Sequence, residues 1–245
     1  ITGMDGSVTV FDLESGATAA QFKGDTSSVP EILAMSPGGN HLAAAVDDGV
    51  ALIVWDIEAE KETFVLDEYA RVTGLLFEPG GRVLMTARSN HSIERRDIRS
   101  GSVLETMPGH SSPVQVMAFA PNDVTMASGS QDGMIFIWDM DDNSILNRIH
   151  AHAGAITGLV FSTDGNFLYS TGTDGKVHLW RVSNGSLEAT LADEPGSLQG
   201  LSLLDEQSLL SAVYQNDRIG FWTNVAVEIG APLSGFFGAV QAQQI

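Results

Sequence analysis

The chain has 245 residues, 43% hydrophobic and 18% charged, which is enough for a sizeable core and too apolar for a disordered segment. It contains no cysteine, excluding a disulfide framework and any thiolate-ligated metal, and no apolar run approaches the length that spans a bilayer. Its 12 basic residues against 31 acidic ones give a formal charge of −19, a surface that repels phosphate backbones and favours basic partner segments.

In chain order, Ile1 to Gly6 reads as the end of a second strand and its Asp-Gly turn, Ser7 to Leu13 as a third strand and Ala17 to Phe22 as a fourth. The chain therefore opens in mid-unit. It lacks an initiator Met and the basic and apolar regions of a secretory signal, and is expected to be a segment of a longer protein. The first complete unit runs from Val29 to Leu66, with strands Val29 to Met35, His41 to Val46, Ala51 to Ile57 and Thr63 to Leu66. A second unit, Arg71 to Met107, turns at Glu78-Pro79-Gly80-Gly81 and has a polar third strand, Ser92 to Asp97, where its siblings are apolar.

The clearest unit extends from Gly109. Apolar runs at Val114 to Phe119, Val124 to Ala127 and Met134 to Trp138 are divided by Pro121-Asn122-Asp123 and Asp132-Gly133, and Ile145 to Ile149 follows as a fourth strand. The fourth unit, Ala155 to Leu191, is nearly as regular. A fifth, Leu198 to Ile229, is followed by a connector at Ala231 to Gly235, and Ala239 to Gln244 reads as another first strand.

Corresponding positions fall at Phe11, Trp55, Arg96, Trp138, Trp180 and Trp222, with spacings of 44, 41, 42, 42 and 42 residues. A fixed period of this length, built from four short strands, signals a propeller blade. The first spacing carries two extra residues, part of them placed in the turn Asp47-Asp48-Gly49-Val50.

Gly109-His110 with Trp138-Asp139, and the worn pair Ala151-His152 with Trp180-Arg181, share a His-to-Trp spacing of 28. On these residues the chain resembles the Trp-Asp (WD) repeat family. The resemblance implies an all-β fold, a β-propeller of four-stranded antiparallel blades, with five complete blades plus a partial one here. It further implies a single propeller domain over residues 1–245, belonging to a seven-bladed ring used mainly as a binding platform.

The resemblance also assigns roles to polar residues. His110, Ser128, Asp132 and Trp138 match the family's structural tetrad, and His152, Ser170, Asp174 and Trp180 form a second set. A His-Ser-Asp trio invites a hydrolase reading, but one that recurs 42 residues later is what a scaffold needs and an active site does not. In the second unit the Trp position holds Arg96 and the His position holds Glu68, which predicts a structural ion pair. Arg96-Asp97-Ile98-Arg99 is similar to the box by which some family members dock onto cullin adaptors, with Arg in place of Trp.

Metal ligation is poorly supported, because His150 and His152 share a strand face but no carboxylate completes a site. No phosphate-binding or dinucleotide loop is present, so no cofactor is expected. The sequons at Asn90 and Asn184 fall in hairpin turns and do not bear on compartment.

Loops entering first strands and joining second to third strands open on one propeller face. Tyr69, Arg71, Arg88, His91, Gln131, Thr173, Tyr214, Gln215 and Asp217 fall there and are candidate partner contacts, together with Arg99. Arg71, Arg82, Arg88, Arg95, Arg96 and Arg99 make one blade basic on an acidic chain, which predicts an acidic or phosphorylated partner segment for it.

The functional expectation is a non-catalytic scaffold for protein–protein interactions in a multiprotein complex, binding neither nucleic acid nor membrane. Its expected location is intracellular and soluble, in the cytoplasm, the nucleus or the cytoskeleton. The alternatives are a propeller hydrolase or lyase with a central-channel site, and a substrate receptor of a cullin ubiquitin ligase.

Overall fold

The computed structural model describes residues 2–3, 6–12, 14–23, 29–67, 70–193, 197–204, 209–214, 219–222 and 235–238. All regular structure among them is antiparallel β, in five four-stranded sheets and one two-stranded sheet whose strands pair in sequence order. Contacts divide the chain into two compact units, Ile1–Val114 and Gln115–Ile245.

The first unit opens with the two-stranded sheet, β1 (Ser7–Phe11) and β2 (Thr18–Lys23). The first blade follows as β3 (Ile32–Met35), β4 (His41–Val46), β5 (Ala51–Asp56) and β6 (Lys61–Asp67). The second blade is β7 (Val72–Phe77), β8 (Val83–Arg88), β9 (Ile93–Asp97) and β10 (Val103–Met107).

The second unit carries three blades. The third comprises β11 (Val114–Phe119, its first residue closing the first unit), β12 (Thr125–Ser130), β13 (Met134–Asp139) and β14 (Ser144–His150). The fourth is β15 (Ile156–Phe161), β16 (Phe167–Gly172), β17 (Lys176–Arg181) and β18 (Leu187–Asp193). The fifth is β19 (Leu198–Leu204), β20 (Leu209–Tyr214), β21 (Ile219–Trp222) and β22 (Gly235–Gly238).

Second strands are the most deeply buried elements. Every residue of β12 and β16 is buried, whereas β10 is exposed at four of its five positions. The cause is packing on both faces: Leu42, Ala44 and Val46 of β4 pack with Val8 and Phe22 of the two-stranded sheet, while Ala43 between them packs with Phe77 and Leu84 of the second blade. A strand covered on both sides reads as a continuous apolar run, and one facing water reads as an alternation. The same sandwiching joins Ala127 and Ile137 to Ile156 and Leu168, and Phe167 and Tyr169 to Leu198 and Leu210.

One expectation needs correction. The fourth strand of the fifth blade is β22, with Phe221 opposite Phe236, and not a segment ending at Ile229. Aromatic residues favour extended backbone, and the pairing strand includes Gly235, which stands opposite Trp222 and which the sequence had placed in a connector. The expected strand at 239–244 lies outside the described residues. In the first blade Trp55 stands opposite Leu42, while in the third Trp138 stands opposite Met126. One of the two extra residues is thus in the β4–β5 turn, where Asp47, Asp48 and Gly49 all adopt positive φ.

Candidate functional site

The polar groups of the fourth blade form a closed relay. His152, just beyond β14, has Nδ1 at 2.8 Å from Asp174 Oδ1 in the β16–β17 turn and Nε2 at 2.8 Å from Ser170 Oγ on β16. Ser170 also accepts the indole N–H of Trp180 at 2.8 Å, and the second oxygen of Asp174 accepts the Ala153 amide at 3.0 Å. His152, Ser170 and Trp180 are all buried.

Proton bookkeeping fixes one arrangement. Trp180 donates to Ser170, the Ser170 hydroxyl donates to Nε2 of a neutral imidazole, and Nδ1–H donates to the Asp174 carboxylate, so every group is satisfied. Burial pushes the His152 pKa below its ordinary 6.5, against the opposing pull of Asp174. Burial alone would raise the Asp174 carboxyl, but the Ala153 amide and the His152 ring outweigh it and hold the carboxyl below 3.8. The Ser170 oxygen already accepts the indole proton, and Ser170, His152 and Trp180 are out of solvent while Asp174 is partly exposed.

In the third blade Trp138 donates to Ser128 at 2.8 Å, the same bond at the same register. Asp132 accepts from the Ser130 hydroxyl at 2.6 Å and the Met134 amide at 3.3 Å. His110 is buried, near the end of the first unit. The turn that carries Asp132 needs glycine beside it, since Gly133 has φ +80° and a Cβ there would collide with the His152 carbonyl.

The second blade replaces the relay with ions. Glu94 Oε2 accepts from Arg88 Nε at 2.8 Å and from Arg96 Nη2 at 2.7 Å, and Arg88 and Glu94 are 0% and 3% exposed. Arg88 further donates to the Ala70 carbonyl and Arg96 to the Gly101 carbonyl. Arg88 is therefore corrected from a partner contact to a buried residue, because β8 carries it past the loop and onto the face of Glu94. Arg96 pairs with Glu94, while its expected partner Glu68 lies outside the described residues. The alternation rule contained this signal: Leu84 opposes Arg96 and Thr86 opposes Glu94, so Arg88, two residues beyond Thr86, shares their face.

The remaining candidates are scattered. Gln131 and Thr173 are exposed in β12–β13 and β16–β17 turns, and His91 is partly exposed at φ 74° in the β8–β9 turn. Arg71 is half-exposed and engaged with Glu31 at 2.8 Å. Arg99 is exposed and lines a cavity of about 770 Å3 with Arg82, His41 and the two Pro-Gly-Gly turns. Tyr69, Gln215, Asp217 and the Tyr214 side chain lie outside the described residues. Among the described residues no group of three or more His, Cys, Asp or Glu could hold a metal ion, and no helix is long and apolar enough to cross a membrane.

Repeated four-stranded antiparallel blades, two of them with the same buried Trp–Ser bond at one register, define a β-propeller fold. The chain matches the family model "WD domain, G-beta repeat" over residues 101–139 and 143–181, so these two stretches are WD repeats. It is 28% identical over 139 residues to the WD repeat-containing protein SL1-17 of Schistosoma mansoni, covering 57% of this chain and 46% of that protein. It is 34% identical over 110 residues to the COMPASS component SWD3 of Saccharomyces cerevisiae, covering 44% and 35%. The chain thus spans less than half the length of these curated relatives. A chain in a crystal structure of the mitotic checkpoint complex superposes with a TM-score of 0.82 at 21% identity, covering 94% of this chain and 73% of that one.

Proposed function

We propose that this propeller is a non-catalytic platform that holds protein partners within a larger assembly, with a partner segment docking on the face formed by the second-to-third-strand turns. The observation that carries the reading is the His152–Ser170–Trp180 relay, in which the groups that would have to do chemistry are bonded to one another and buried. Support also comes from relatives whose names place them in complexes, as the COMPASS component's does. The exposed turn residues Gln131 and Thr173 are the proposed contacts in the second unit, and Arg99, in the second blade, is a separate contact.

The test is affinity purification of the full-length protein, wild type against Gln131→Arg with Thr173→Arg. Loss of specific partners at unchanged melting temperature supports the platform, whereas an identical partner set in the variant removes the assigned face. A cullin adaptor among the recovered proteins would specify the platform as a ligase receptor.

A further inference from the structure

We infer that the cavity between the β3–β4 and β7–β8 turns binds a phosphomonoester carried by a partner peptide. Six arginines lie between residues 71 and 99. Four of them are matched inside the first unit: Arg71 with Glu31 at 2.8 Å, Arg95 with Glu78 at 2.6 Å, and Arg88 and Arg96 with Glu94 at 2.8 and 2.7 Å. The other two, Arg82 and Arg99, are exposed, and among the described residues no carboxylate stands within salt-bridge distance of either. Both line the same cavity of about 770 Å3.

The fold brings the two arginines to one cavity. Val83 pairs with Asp97 across the ladder and the Ile98 amide donates to the Arg82 carbonyl at 3.2 Å, so the Arg82 backbone lies beside the turn that carries Arg99, and both residues line the cavity. Asp97 also lines the cavity, but its Oδ1 accepts from the amides of Arg99 and Ser100 at 3.0 and 2.9 Å and from the Ser100 hydroxyl at 3.0 Å, closing its own turn. His41, Gly38, Gly80 and Gly81 add to the wall, and nothing lies within 4 Å of where a Cβ on Gly80 would stand.

Two arginine forks on one cavity suit a tetrahedral dianion, which offers each of them oxygens for paired charge-assisted hydrogen bonds. A cavity of this size takes a side chain with its flanking residues. A formal charge of −19 disfavours a polyanionic surface such as a nucleic acid or an acidic membrane. The fitting ligand is one phosphate on a peptide whose flanks are basic, so that the phosphate meets the two arginines and the flanks complement the net negative charge of the chain.

The inference rests on the platform reading and names the chemistry of one partner. Its test presents the full chain with immobilised peptide libraries carrying a central phosphoserine between degenerate lysine-containing flanks, with the unphosphorylated libraries, and with vesicles containing phosphatidylinositol 4-phosphate. Retention by the phosphoserine library alone, competed by phenyl phosphate and weakened about tenfold or more by Arg82→Glu with Arg99→Glu, is the expected result. Arg148→Glu, a single charge reversal at an exposed arginine of the second unit, should leave retention intact, and each of Arg82→Glu and Arg99→Glu alone should weaken it. Equal retention on both libraries, retention on vesicles instead, or no loss in the double variant overturns the inference. Partners recovered from the full-length protein regardless of Arg82 and Arg99 would leave the platform standing without it.

Discussion

Relative to Trp55, Ala44 occupies the strand position that Ser170 occupies relative to Trp180. Ala44 opposes Ile53, two residues before the tryptophan, just as Ser170 opposes His178. The Trp180 indole has a hydroxyl to donate to, whereas buried Trp55 Nε1 has no hydrogen-bond partner among the described residues. The first blade keeps the large apolar ring, stacked on Phe22 at 5.4 Å, and forgoes the polar half of the relay.

Ala44→Ser should therefore stabilise the protein. A buried donor that regains a partner recovers on the order of 0.5–1.5 kcal/mol, and the added oxygen is small. Urea unfolding should show a higher midpoint at unchanged slope. A lower midpoint would mean that the β4–β5 register leaves no room for the hydroxyl.

Glu94 is the most sensitive single side chain in the second blade. Glu94→Ala strips the shared acceptor from two buried guanidinium groups, and removing one partner from a buried ion cluster costs about 3–5 kcal/mol. Thermal unfolding measures it, with Glu78→Ala, at the less buried Arg95 pair, as the milder comparison. Equal effects of the two substitutions would contradict the assignment.

The His152 relay makes stability acid-sensitive. The folded pKa of His152 lies below 6.5, so the unfolded chain binds the proton first, and stability present above pH 6.5 is lost as pH falls through the folded value. Asp174, held below 3.8, adds a second loss of the same sign in the acid range below that value. The physical event is that a protonated His152 would turn a donor toward Ser170, whose hydroxyl then loses its acceptor. Unfolding midpoints for the wild type should drop more between pH 7 and 5 than those of His152→Gln, and parallel curves would refute the link.

Gly172 reports how tightly the relay is packed. A Cβ there would stand 2.6 Å from His152 Nδ1 and 2.9 Å from Asp174 Oδ1, so Gly172→Ala must part the two. Destabilisation of about 1–3 kcal/mol is expected, the scale of a buried polar group left unsatisfied, and chemical denaturation reads it. A neutral effect would show that the turn can yield.

Much of this was legible in the sequence, because the period that places the tryptophans also fixes the strand register. Trp138 with Ser128 and Trp180 with Ser170 follow directly from a spacing of 10 residues on paired strands. The ion cluster was hidden by treating Arg88 as loop; one more residue of strand turns it onto the face of Glu94, and burial then demands a partner. The β22 pairing was hidden for a different reason: β21 ends at Trp222 and β22 begins only at Gly235, so the short spacing that places the other fourth strands carries no signal for this one. The convergence of Arg82 and Arg99 depends on which arginines are already neutralised, and pairings such as Arg71 with Glu31, 40 residues apart, are set by tertiary packing.

The account turns on recurring polar residues serving the fold. A double-mutant cycle on Ser170→Ala and Trp180→Phe, measured by urea unfolding, tests it most directly. A coupling energy of about 0.5–3 kcal/mol between the two sites is the predicted result, as for groups sharing a buried hydrogen bond. Additive losses, with no coupling beyond error, would contradict it.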